Sequence, residues 1–180
     1  MKEKGRWSSG YDATLTNIFQ MGRNHRFKSC PAHLSDKMKI WKIIVAGIVY
    51  AIIAQIFHTV EAYATMDFYK DPAYFSVWSK IMIPGEGAPS NEFYYYSIMF
   101  SIITGIIFAV VYETIKKGLP GESIRKGVYY GFLVFLISGI PFFLTMYLLI
   151  NLPITLLIVW LADSLIIYLI VGAIIAWLYK

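Results

Sequence analysis

The chain has 180 residues, of which 58% are hydrophobic, 17% aromatic and only 15% charged. A soluble domain usually carries about 25% charged residues, so this composition excludes a disordered chain and argues against an ordinary soluble enzyme. The formal net charge of +5 at first suggests a nucleic acid or an anionic membrane as a partner. The only cysteine, Cys30, excludes an intrachain disulfide and a cysteine-rich metal site.

Residues 1–37 differ from the rest of the chain. They carry seven Lys/Arg and three Asp/Glu, and they lack the apolar period of a helix or a strand. One interpretation is a disordered basic tail. A secretory signal fits poorly, because the apolar run starts too late and no small-residue cleavage site follows it.

A second interpretation is that residues 4–33 resemble a translated transfer-RNA gene. Residues 4–11 can be encoded by GGGCCGG followed by TGGTCCAGTGGTTA, which resembles an acceptor strand and a D arm. Residues 25–33 can be encoded by ACAGG-TTCAAAT-CCTGT, a closed stem with the T-loop pattern, followed by the complement of GGGCCGG. We therefore expect residues 1–37 to be a mis-called extension and the native start to be Met38.

This expectation changes the charge balance. Residues 38–180 carry nine Lys/Arg and eight Asp/Glu, and they contain no cysteine. Most of the positive charge therefore belongs to the extension, and we expect no nucleic-acid partner.

The remaining residues contain four apolar stretches. A helix needs about 20 apolar residues to cross a hydrocarbon core, and we predict spans at about 40–62, 94–115, 127–150 and 154–178. Residues 151–153 (Asn-Leu-Pro) predict a tight turn between the last two. The stretches lack the alternation of barrel strands, so the predicted fold is all-α, a bundle of four transmembrane helices.

The positions of Lys and Arg predict the orientation of the spans. Basic residues precede the first span and fill the loop between the second and third, whereas the loop between the first and second is acidic on balance. We expect an integral protein of a prokaryotic cytoplasmic membrane, with the bilayer as its partner and both termini in the cytoplasm. The basic residues on the cytoplasmic side are Lys39, Lys42, Lys116, Lys117, Arg125 and Lys126.

The loop of residues 63–93 contains a predicted short helix. Asp71 can cap it and Pro72 suits its first turn, so we expect a helix from Ala73 to Met82. Because aromatic residues favour the membrane–water boundary, we interpret this helix as interfacial, on the outer leaflet; the alternative is a lid over a cavity between the helices. The predicted anchors are Tyr74, Phe75, Trp78, Tyr94, Tyr95 and Tyr96.

Small residues and one proline mark helix packing. Gly127 and Gly131 are four residues apart and allow close helix approach. Gly105 in the second span and Gly172 in the fourth allow the same at other depths of the membrane. Pro141 predicts a bend or a freed carbonyl in the third span.

Four polar side chains interrupt the apolar spans near their outer ends: Gln55, His58, Glu61 and Asp163. The first three are spaced i, i+3, i+6, a stripe about 120° wide, and they could meet Asp163 if the first and fourth spans are neighbours. An intramembrane ionisable residue suggests a function. The alternatives are a structural clasp, a polar cavity for a proton, ion or small solute, and, with too few ligands, a metal site.

The sequence contains no motif for a reaction: no P-loop, no HExxH, no Gly-x-Ser-x-Gly and no CxxC. We expect no cofactor and no metal. The predicted role is non-enzymatic, by self-association or as a subunit of a membrane complex. The alternative is an oligomeric channel or transporter that uses the polar cluster. A third class, an enzyme acting on lipid, would depend on Glu61 and Asp163.

From about Ile48 onward the layout resembles small four-helix membrane proteins grouped as domains of unknown function. The shared features lie in the outer loop, at glycines and a proline in the spans, and in the last helix. The resemblance implies a compact four-helix bundle and carries no assigned chemistry. Its residues are Tyr74, Phe75, Trp78, Gly105, Lys126, Gly127, Gly131, Pro141 and the run Gly172–Trp177.

Overall fold

The computed structural model describes residues 40–82 and 89–180, and all regular structure in these ranges is helical. The extension predicted at residues 1–37 and the start predicted at Met38 lie outside the described residues. The elements in chain order are α1 (Ile40–Ala64), α2 (Met66–Lys70), a 3₁₀ turn (Pro72–Tyr74), α3 (Asn91–Ile115), α4 (Ser123–Val134), a π turn (Phe135–Gly139), α5 (Ile140–Leu149) and α6 (Ile154–Leu178).

Four of the helices are long and apolar enough to cross a membrane. They are α1, α3 and α6 with 25 residues each, and the continuous helix Ser123–Leu149 with 27. Their ends agree with the predicted spans to within a few residues, and residues 151–153, where a tight turn was predicted, form the non-helical connection between α5 and α6. The all-α prediction with four long apolar helices is therefore confirmed.

The helices pack as a chain of neighbours: α3 lies against α1, α1 against α6, and α6 against α4. Glycines line two of these contacts, as predicted. A Cβ added at Gly105 would lie 2.8 Å from the Cα of Gly47 in α1. A Cβ added at Gly127 would meet the backbone of Gly172 in α6. Backbone therefore touches backbone at both crossings, which is the packing that small residues permit.

Aromatic side chains fill the space between the four helices. Tyr50 of α1 and Tyr168 of α6 both contact the ring of Phe108 in α3, at centroid distances of 5.3 and 5.0 Å. Tyr130 of α4 is fully buried, and its hydroxyl donates to the carbonyl of Phe108 at 2.7 Å. This hydrogen bond satisfies a polar group that apolar surroundings would otherwise leave unpaired.

The π turn precedes Pro141. Proline has no N–H and its ring clashes with the carbonyl four residues earlier, so an α-helical bond pattern cannot continue through it. The widened turn restores a bond, because the N–H of Ile140 donates to the carbonyl of Phe135. The irregularity predicted at Pro141 thus takes the form of a π turn.

The connection between α1 and α3 differs from its prediction. The carboxylate of Asp71 accepts from the N–H of Ala73 at 2.9 Å, so the predicted cap forms. The predicted α-helix from Ala73 to Met82 does not, because the 3₁₀ turn ends at Tyr74 and irregular turns follow. One cause is Ser79, whose hydroxyl accepts from the N–H of Met82 at 3.2 Å and so competes with helical bonding.

Candidate functional site

The four polar residues predicted as one cluster lie near one end of the bundle. We call this end, with residues 65–82 and 151–153, the upper end, and the opposite end the lower end. His58 and Asp163 contact each other, whereas Gln55 and Glu61 contact other residues. The reason is the width of the stripe on α1, which is broad enough to face both α3 and α6.

The central contact joins two ionisable side chains, one from α1 and one from α6. Nδ1 of His58 lies 2.8 Å from Oδ2 of Asp163. The side chain of Asp163 is 10% exposed, whereas that of His58 is 51% exposed. Since Nδ1 donates to the carboxylate, the other ring nitrogen, Nε2, remains free to contact a molecule outside the pair.

His58 also lines a groove of about 570 Å³ between α1, α3 and residues 79–81. This volume lies in the range of small-molecule sites, about 300–1,000 Å³. The lining from α3 contains three hydroxyl residues spaced i, i+4, i+7, which places them on one helical face. The described residues that line the groove are Tyr50, His58, Ser79, Ile81, Phe93, Tyr96, Ser97, Phe100, Ser101 and Thr104.

Gln55 lies at the contact between α1 and α3. Its Nε2 donates to the hydroxyl of Ser97 at 2.6 Å, so the amide borders the groove through a residue that lines it. Ser97, Ser101 and Thr104 were not among the site residues predicted from the sequence. Their shared spacing on α3 was the available signal, but serine and threonine in apolar helices also bond their own backbone, as Thr104 does to the carbonyl of Phe100 at 2.8 Å.

Glu61 forms a separate network that fastens the α1–α3 connection to α6. The residue is 9% exposed, and its Oε1 accepts from the Thr65 hydroxyl at 2.7 Å and from Trp160 Nε1 at 3.1 Å. The hydroxyl of Tyr69 donates to both carboxylate oxygens at 3.4 Å. Burial, with the nearby Glu61 charge, raises the pKa of Tyr69 to about 12.

The predicted interfacial anchors divide into two groups. Trp78 packs inward, 4.9 Å from the ring of Tyr69 and 6.3 Å from that of Trp160, so it belongs to the Glu61 network. Phe75, Tyr94 and Tyr95 have exposed side chains, and Tyr74 is half-buried. Tyr96 is exposed as well, but it lines the groove.

A third polar group lies at the lower end. Lys42 Nζ donates to the carbonyl of Leu178 at 2.5 Å, and Glu113 pairs with Lys116, three residues later in the chain, at 2.8 Å. The ring of Tyr179 lies 5.3 Å from Lys42 Nζ and 5.4 Å from Lys116 Nζ, distances typical of cation–π contacts. Burial, followed by the charge of Glu113, raises the pKa of Tyr179.

Within residues 40–82 and 89–180, no three His, Cys, Asp or Glu side chains come together as metal ligands. No family model, curated protein or solved structure matches this chain. That result is consistent with an uncharacterised family, and the resemblance to four-helix membrane proteins of unknown function brings no chemistry to the groove.

Proposed function

We propose that this chain is a four-span integral membrane protein, without an enzymatic role, that binds a small solute in the groove between α1 and α3. The observation that carries the proposal is the position of His58, which pairs with a buried carboxylate on one side and lines the groove on the other. An ionisable pair among apolar helices is expensive and marks a functional position. A purely structural clasp would not need a half-exposed imidazole on a groove wall.

Accessibility to water tests whether the groove is a polar cavity. In a Cys30→Ser background, a single Ser101→Cys variant places a thiol on the groove wall, and Ala109→Cys places one in the fully buried core of the same helix. A small charged methanethiosulfonate reagent reacts with the thiolate and therefore needs water. We expect fast modification at residue 101 and very slow modification at residue 109. Equal, slow reaction at both positions would contradict the proposal.

The proposed orientation places the lower end in the cytoplasm. It is supported by the basic residues near that end, of which Lys42 and Lys116 contact Tyr179 just after α6. Single cysteines at two exposed positions test it: Ser76→Cys in the α1–α3 connection and Lys117→Cys after α3. In intact cells, an impermeant maleimide should label residue 76 only. Labelling of residue 117 without permeabilisation would reverse the orientation.

The role by self-association remains a second candidate, and one observation favours it. Within an 18-residue apolar segment of the helix Ser123–Leu149, 11% of the residues are buried, against 28% in the corresponding segment of each of the other three long helices. This helix therefore offers the largest uncovered apolar surface to lipid or to a second copy. A cysteine at Leu148, which is 80% exposed, should form a disulfide dimer if copies associate there. A cysteine at Ile52 on α1, 56% exposed, is the control, and equal crosslinking at both would indicate random collision.

A further inference from the structure

The groove combines aromatic faces with hydroxyl groups, and this combination restricts its ligand. The rings of Tyr96 and Phe100 stack with centroids 6.0 Å apart along one wall, and Tyr50 and Phe93 add two more rings. Such faces suit an apolar or aromatic body and attract cations through their π-electrons. The ligand is therefore expected to contain an apolar part that the rings can cover.

Charge restricts the ligand further. No Lys or Arg is found among the described residues that line the groove, so an anion has no fixed positive partner there. Behind His58 lies the carboxylate of Asp163. The described part of the upper end has three exposed carboxylates and two exposed ammonium groups. The carboxylates belong to Asp67, Asp71 and Glu92, and the ammonium groups to Lys70 and Lys80. These charges favour a cation over an anion.

The orientation of the imidazole selects the kind of cation. Because Asp163 accepts from Nδ1 of His58, a neutral imidazole has its hydrogen-bond acceptor at Nε2, the ring nitrogen that does not face Asp163, and His58 is one of the residues that line the groove. A primary ammonium can donate an N–H to this nitrogen, and the chain ammonium–His58–Asp163 then has balanced charge. A quaternary ammonium has the charge without the N–H and cannot make this bond.

On this basis, and resting on the proposed solute-binding function, we propose that the groove binds a primary ammonium group carried on an apolar or aromatic body. The ammonium donates to Nε2 of His58, Asp163 supplies the compensating charge through the imidazole, and the rings of Tyr96 and Phe100 cover the apolar part. The same chemistry is present in a free aryl- or alkylamine and in the ethanolamine headgroup of a phospholipid.

Binding to the full chain in lipid nanodiscs tests this inference. Three probes share an indole ring and differ in the end group: tryptamine, its N,N,N-trimethyl derivative and indole-3-propionate. In phosphatidylcholine discs, whose lipid has no N–H donor, calorimetry should show tryptamine binding about ten to a hundred times more tightly than the trimethyl compound, the range for a hydrogen bond to a charged group. The propionate should not bind measurably.

Variants assign the binding to the named residues. Asp163→Asn should reduce tryptamine affinity about tenfold or more, whereas Glu61→Gln is the matched control, since Glu61 is an equally buried carboxylate outside the groove lining. Because Asp163→Asn also weakens an interhelical contact, Thr104→Phe blocks the groove from α3 and should abolish binding while leaving the elution profile and the melting temperature near those of the unaltered chain.

Adding phosphatidylethanolamine to the discs distinguishes the two sources. Unchanged tryptamine affinity identifies a free amine as the ligand, and competition identifies the lipid headgroup; either outcome supports an ammonium site. Equal binding of tryptamine and its trimethyl derivative, binding of the propionate, or no binding of tryptamine would overturn it. If residue 101 is accessible to a water-soluble reagent while tryptamine does not bind, the solute-binding groove stands and the ammonium assignment fails.

Discussion

The crossing of α4 and α6 offers a quantitative test of the packing. Gly131 of α4 lies directly against the backbone of α6. A Cβ at this position would lie 2.7 Å from the carbonyl carbon of Tyr168 and 3.0 Å from the Cα of Leu169. The optimal separation of two carbon atoms is about 3.5–4.0 Å. Gly131→Ala therefore requires the two helices to separate by about 1 Å.

The expected loss of stability follows from two opposing effects. Over-packing a close contact costs about 1–3 kcal/mol, and the upper part of that range applies here because the opposing atoms are backbone and cannot rotate away. Alanine is a better helix former than glycine by about 1 kcal/mol, which offsets part of the loss. The net destabilisation is about 2 kcal/mol, or about 4–8 °C in melting temperature for a domain of this size.

Thermal unfolding in detergent, followed by circular dichroism, measures this shift. The matched control is Gly118→Ala in the loop after α3, where a new Cβ would come no closer than 3.6 Å to the Ile115 carbonyl oxygen. We expect the control to melt within about 2 °C of the unaltered chain. If Gly131→Ala melts at or above the temperature of the unaltered chain, the backbone contact between α4 and α6 is not as close as described.

Three further perturbations test the upper end. Trp160→Phe removes the N–H that Glu61 accepts and should lower stability by about 1–2 kcal/mol, measured by thermal unfolding. Alanine substitutions at His58 and Asp163, alone and together, should give a coupling energy of about 0.6–2 kcal/mol in a double-mutant cycle. Folding raises the pKa of Tyr69 from 10.0 to about 12, so the folded state favours the protonated hydroxyl. The resulting contribution to the free energy of unfolding is fully present below pH 10 and is lost as the pH rises from 10 to 12.

Each of these tests has a control and an opposing outcome. Trp78→Phe keeps an aromatic ring in the same network but removes an indole N–H that has no hydrogen-bond partner in the described residues, so it should destabilise less than Trp160→Phe. Additive effects at His58 and Asp163 would contradict a direct contact between these two side chains. Tyr69→Phe should flatten the decline above pH 10, and an unchanged pH profile in that variant would assign the decline to another group.

Apolar length and local chemistry were sufficient to predict the four long helices, but not the short helix α2 (Met66–Lys70). The runs that became α1, α3, α4–α5 and α6 are recognisable because a membrane-spanning helix needs about 20 apolar residues. The turn at residues 151–153 and the cap at Asp71 depend on neighbours in the chain. The predicted helix Ala73–Met82 does not form, although the Asp71 cap and Pro72 favour a helix start. The Ser79 hydroxyl accepts from a backbone N–H and so competes with helical hydrogen bonding, and Trp78 packs inward.

The partners of the polar residues could not be predicted in the same way. Spacing placed Gln55, His58 and Glu61 on one broad stripe of α1, but a stripe about 120° wide faces more than one neighbouring helix. Which residue faces α3 and which faces α6 depends on how the helices cross. In the packed bundle, Gln55 donates a hydrogen bond to Ser97, and Glu61 accepts one from Trp160.

The number, length and boundaries of the apolar helices follow from the order of residues alone, because these properties depend on residues close together in the chain. Three contacts depend on the tertiary structure. His58 of α1 contacts Asp163 of α6, and α3 contributes three hydroxyl residues to the groove that His58 also lines. The side chains of Tyr69 and Trp160 donate hydrogen bonds to the carboxylate of Glu61. Those contacts join residues up to 105 positions apart, so they depend on how the helices pack against one another and not on neighbours in the chain.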